Sequence, residues 1–121
     1  MSYLKSYKDL MVWQKSMELN KLVYKHTTNF PKEEMFGLTS QMRRAAISIS
    51  ANIAEGQARN STGEFLQFLG IAKGSLAELE TLIMLSHELK FMNKENSVIL
   101  LDMAEEISKM LHGLQKKLRS N

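Results

Sequence analysis

Apolar positions along this chain recur at spacings of three, four and seven, the rhythm of helices that bury one side. A first helix is predicted from Lys8 to Thr28, with Leu10, Trp13, Met17, Tyr24 and Thr27 as its core stripe. A second apolar row, Val12, Leu19 and Val23, lies well over a quarter-turn away, which is more than a simple surface helix requires. Phe30-Pro31 ends the element, because proline disfavours helical geometry in the residue before it. A second helix is predicted from near Thr39 to Gly56, the residue type that takes the left-handed conformation just past a helix end. Its core stripe is Leu38, Met42, Ala45, Ile49 and Ile53. Beside it runs a polar row on the same rhythm: Gln41, Arg44, Ser48, Asn52 and Glu55.

Ser61-Thr62-Gly63-Glu64 has the pattern of a capping box immediately before Phe65, and opens a third helix reaching about Leu89. Phe65, Phe68, Leu69, Ala72, Leu76, Leu79 and Ile83 form its core stripe, and nearly opposite sit Gly70, Gly74, Ala77 and Thr81. An interior glycine costs about 1 kcal/mol against alanine in an exposed helix, so this small-residue row is expected where another backbone comes close. Asn93 is the expected N-cap of a fourth helix. Leu100, Ala104, Ile107, Leu111, Leu114 and Leu118 then follow at near-heptad spacing, which suits helices crossing at about 20° in a bundle. Short connections make helices two, three and four antiparallel neighbours. The fold expected is all-α, an antiparallel up-down four-helix bundle, with residues 1–121 forming a single domain.

Composition narrows the function classes. The chain has one proline and six glycines in 121 residues, in keeping with helix throughout. Cysteine is absent, which removes disulfide and thiolate chemistry. No apolar run approaches the ~18 residues of a membrane span, and the first residues lack a signal-peptide pattern, so a cytoplasmic protein without membrane association is expected. The net charge of +3 and pI of about 9.2 are mild for a dedicated duplex-DNA binder but compatible with RNA or an acidic partner. The Lys116-Lys117-Leu118-Arg119 tail also suits a helix C-terminus, where cations complement the dipole.

Candidate chemistry is sparse. His26, His87 and His112 fall on three different helices, and the residues three before them are Val23, Met84 and Lys109. The Glu-x-x-His pairs of a di-metal bundle are therefore missing, and no metal or cofactor is expected. Gly70-Ile-Ala-Lys-Gly-Ser75 has the glycine, lysine and serine of a phosphate loop in the wrong order and inside a helix. With no nucleophile elbow or dinucleotide fingerprint either, a non-enzyme is expected. The polar row calls for hydrogen-bond partners on a neighbouring helix or subunit, or else a ligand. Glu78 is the expected partner of Arg44 or Arg43. Arg44 and Glu55, about 16 Å apart along the helix, cannot pair with each other. Gly70, Gly74, Ala77 and Thr81, together with Val12, Leu19 and Val23, are expected to form close-packing or subunit faces.

The stretch from Gln41 to Thr81 also resembles a known family. Arg44-Ala45-Ala46, Ser48, Asn52-Ile53-Ala54-Glu55-Gly56, Arg59, Ser61, Glu64-Phe65, Leu69, Ala72, Gly74-Ser75-Leu76 and Glu78 are similar to the four-helix-bundle proteins encoded in intervening sequences of bacterial 23S rRNA genes. Upstream, Tyr7-Lys8-Asp9-Leu10, Val12-Trp13 and Phe30-Pro31 fit that family's opening. The resemblance implies a homo-oligomer, pentameric in form, without enzymatic activity. It also implies kinship with accessory proteins of diversity-generating retroelements, which assist a reverse transcriptase and contact nucleic acid.

Two expectations follow. One is an oligomeric scaffold that binds RNA through Lys15, Lys21, Lys25, Arg43, Arg59, Lys116, Lys117 and Arg119. The alternative is a protein-interaction module serving a reverse transcriptase or other nucleic-acid enzyme, with no RNA binding of its own.

Overall fold

The structure is a computed structural model that describes residues 6–120. Four helices carry the fold: α1 (Met11–Thr27), α2 (Leu38–Gln57), α3 (Thr62–Glu88) and α4 (Lys94–Arg119). They form a square up-down bundle in which α1 packs on α2, α2 on α3, α3 on α4, and α4 closes back on α1. Among the described residues the diagonal helices do not approach each other. The α2–α3 pair is the most intimate.

Local chemistry sets the ends. A 3-10 turn at Tyr7–Asp9 precedes α1 and is separated from it by Leu10 in extended conformation, so the first helix starts later than its apolar pattern implies. Ser61 caps α3 by accepting the Glu64 N–H at 3.1 Å, and its hydroxyl lies 3.1 Å from the Glu64 carboxylate. Asn93 caps α4 by accepting the Asn96 N–H at 2.7 Å. Both sites are where the sequence places them.

The core is continuous along the bundle. Met42, Ala45, Ile49 and Ile53 from α2, Leu69, Ala72, Leu76, Leu79 and Ile83 from α3, and Leu100, Ala104, Ile107 and Leu111 from α4 are buried. Phe65, Phe68, Leu114 and Leu118 are half-buried at one end. Serines enter the core because each finds a carbonyl in the preceding turn of its own helix. Ser16 donates to the Trp13 carbonyl at 2.7 Å and Ser86 to the Leu82 carbonyl at 2.8 Å.

Two expectations are corrected here. The buried side of α1 is Val12, Ser16, Leu19, Val23 and Thr27. Val12, Leu19 and Val23 thus pack in the chain's own core, the close-packing role of the two expected for them. Trp13 and Met17 are half-buried, and Tyr24 is 43% exposed. Their bulk is used at the rim: the Trp13 ring meets Tyr7 edge-on at 5.2 Å, and Tyr24 lies under the Arg43 guanidinium at 4.5 Å.

The second correction concerns glycine. Gly56 is not a left-handed helix stop, since α2 continues to Gln57 and no described glycine has positive φ. Gly56 is buried where α2 and α3 pass closest. A Cβ there would lie 2.7 Å from the Phe68 Cβ and 3.0 Å from the Phe65 ring. At Gly70 and Gly74 an added Cβ meets nothing within 4 Å, so no backbone of this chain approaches them. The close approach is real but belongs to a different glycine.

Candidate nucleic-acid interface and the α2–α3 face

The polar row of α2 divides into two halves. Its inner members are satisfied within the α2–α3 seam: the Ser48 and Ser75 hydroxyls meet at 2.8 Å, and the Asn52 amide donates to the Ser48 carbonyl at 2.8 Å and its hydroxyl at 3.0 Å. These groups are half-buried and join the helices across the seam. Gln41, Arg44 and Glu55 are exposed. Glu55 pairs with Arg59 at 3.3 Å, one turn on, and the Arg59 guanidinium lies 4.8 Å over the Phe68 ring.

The expected pairing of Glu78 with Arg44 or Arg43 does not form. Arg43 turns instead toward α1, donating from Nε to the Thr27 hydroxyl at 3.0 Å and covering Tyr24. Glu78 is exposed on α3. Its spacing places it in an outward row, Ile71, Gly74, Glu78, Thr81 and Leu85, all exposed, at alternating steps of three and four. Ala77 and Gly70 flank this row and are also exposed. Thr81 returns its hydroxyl to the Ala77 carbonyl at 2.9 Å. Ile71 and Leu85 are the members that sequence reasoning missed. Their signal is the same heptad spacing that picks out Gly74 and Thr81.

The cations expected to contact nucleic acid are not brought together as one set. Arg59 in the α2–α3 turn and Lys116, Lys117 and Arg119 in the last turns of α4 share one end of the bundle, where Leu118 joins Gln57, Arg59, Asn60, Ser61, Thr62 and Phe65 around a shallow polar pocket. Lys21 and Lys25 lie toward the other end of α1, near Arg43. Lys15 is engaged by Glu106 at 3.5 Å. Burial, with a smaller contribution from the adjacent Lys25 charge, holds the His26 imidazole below its ordinary pKa. Among the described residues no group of three or more His, Asp or Glu side chains is placed to hold a metal ion. Among the same residues no helix is long and apolar enough to cross a membrane.

A four-helix bundle with cations gathered at one end and an exposed row containing Gly74 and Thr81 on its third helix defines a class of small all-helical proteins. The family within that class follows from the sequence match. Residues 8–113 match the 23S rRNA-intervening sequence protein family, and the chain belongs to it. A crystal structure of a protein of unknown function from the S23 ribosomal protein family of Bacteroides thetaiotaomicron is similar to it, with a TM-score of 0.79 and 28% identity, covering 88% of this chain and 99% of that one. No curated protein matches the chain in sequence.

Proposed function

We propose that this protein is a non-catalytic, self-associating helical bundle that binds RNA through phosphate contacts at the end carrying Arg59, Lys116, Lys117 and Arg119. The observation that carries this reading is that Arg59 and Leu118, from elements far apart in sequence, line one pocket, which brings the α4 turn carrying Lys116, Lys117 and Arg119 to the same end of the bundle as Arg59. The family's name refers to 23S rRNA, which makes structured RNA the partner to test first. Self-association has separate support in the exposed side of α3, where Gly74 and the flanking Gly70 sit in open space at a cost to the isolated helix. Association of several chains also multiplies a modest +3 charge and so strengthens attraction to a polyanion.

Replacing Lys116, Lys117 and Arg119 together by alanine is expected to weaken binding to a structured RNA by about tenfold or more at low salt. The slope of log affinity against log salt should become shallower by roughly 0.7–0.9 for each phosphate that is no longer neutralised. Unchanged affinity and slope in a folded triple variant would overturn the assignment of this end.

A further inference from the structure

The pocket at the cationic end offers more than charge. Phe65 of α3 and Leu118 of α4 supply its apolar part, and Gln57, Asn60 and Thr62 place polar groups around them. The helix seam fixes Phe65, because one ring carbon lies 3.0 Å from where a Gly56 Cβ would stand. The same half-buried residue lines the pocket, which therefore contains a preset aromatic surface. The side-chain amides of Gln57 and Asn60 make no hydrogen bond among the described residues, so each offers both donors and an acceptor. Arg59 gives one nitrogen to Glu55 at 3.3 Å and keeps further N–H donors.

Size and lining together select the occupant. The cavity measures about 190 Å³, the share of roughly six water molecules at about 30 Å³ each. That is room for one flat ring system and too little for two stacked ones. A bare phosphate gains nothing from Phe65 or Leu118, and a purely apolar group would cover the Gln57 and Asn60 amides without pairing them. A nucleobase meets both demands: its face stacks on an aromatic side chain and its edge pairs with an amide. Inside a duplex both face and edge are already taken, so the base that enters is an unpaired one.

We infer that this pocket takes the base of one unpaired RNA nucleotide, its face against Phe65 and Leu118 and its edge on Gln57 and Asn60. Arg59 and the α4 turns carrying Lys116, Lys117 and Arg119 hold the flanking phosphates. The inference rests on the proposed RNA binding at this end and names the feature recognised, a bulge, loop or strand end in place of a continuous duplex.

Blunt RNA duplexes of equal stem length, one fully paired and four carrying a single bulged A, C, G or U, separate the pocket from the cations. Fluorescence anisotropy on the full chain is expected to show at least one bulged duplex bound about tenfold tighter than the paired one, the effect of one stacked base. Gln57→Ala combined with Asn60→Ala removes the edge partners. Phe65→Leu removes the stacking ring and keeps an apolar side chain against Gly56. Each variant is expected to lose the preference for the bulge while affinity for the paired duplex and its salt slope stay unchanged, since the cations remain. Circular dichroism confirms that both are helical. Equal affinity of the unaltered chain for all five duplexes overturns the base pocket and leaves the phosphate contacts standing, whatever the variants do. So does a preference that survives in both folded variants. Free nucleoside monophosphates that displace the bulged duplex at equal concentration assign the pocket to a free nucleotide and overturn RNA as the source of the base. No binding of any duplex at low salt overturns both readings.

Discussion

An added methyl group at Gly56 has nowhere to go. The Phe68 Cβ and the Phe65 ring and carbonyl already occupy the space, and backbone on both helices must shift to make room. Gly56→Ala is therefore expected to destabilise the fold by about 1–3 kcal/mol, the usual cost of overpacking. Gly70→Ala, in open space, is expected to gain up to about 1 kcal/mol through helix propensity. Urea denaturation of the two variants checks the pair, and a Gly56→Ala protein as stable as its parent would show that the helices separate at no cost. Sequence reasoning identifies each glycine as helical or terminal but cannot see what lies within 4 Å of it. For that reason the pattern alone makes Gly56 a stop and Gly74 the contact. His26 makes a second residue-scale case. Its folded pKa is depressed by burial and then by Lys25, so the unfolded chain takes up the proton first as pH falls. Stability is full above the unfolded value of about 6.5 and declines as pH drops below it toward the folded value. His26→Gln should flatten the melting temperature over that window, and an unchanged pH profile would assign the slope to other groups.

At the scale of elements, α2 and α4 are legible in the sequence because each carries one dominant apolar stripe, and every residue predicted for the α2 stripe is buried. α1 is not, because it carries two. The row with the large aromatics is the stronger by bulk, but the interior accepts the compact row, in which Ser16 and Thr27 return their hydroxyls to their own helix. Trp13 stays half-buried and Tyr24 exposed at the rim, where amphipathic rings are tolerated. The polar row of α2 is legible as a row but not as two environments. That division depends on how far Ser75 reaches across from α3, which no spacing rule reports. Ser75→Ala removes the cross-helix partner of Ser48 while Asn52 remains on it. A destabilisation of about 1 kcal/mol is expected, typical of one neutral hydrogen bond. Thermal denaturation measures it, and no change would mean that the α2–α3 seam is held by apolar packing alone.

For the molecule as a whole, the up-down arrangement follows from short connections and four apolar periodicities, each of which survives small errors at helix ends. The placement of cations does not follow. Residues grouped by charge in the sequence separate to opposite ends once α1 and α4 run antiparallel, and only Arg59 with the α4 tail remains together. The same arrangement governs how the chain reaches its final state. Three of the four helix pairings join consecutive elements, and only α4 closing on α1 links distant parts of the sequence. Bundles dominated by such local pairings fold in microseconds to milliseconds. Any meeting of two chains at cellular concentrations is much slower than that. Under the proposed self-association, each copy therefore arrives at its partner already finished, and the slow step in building a larger particle is a collision whose rate depends on how much protein has been made.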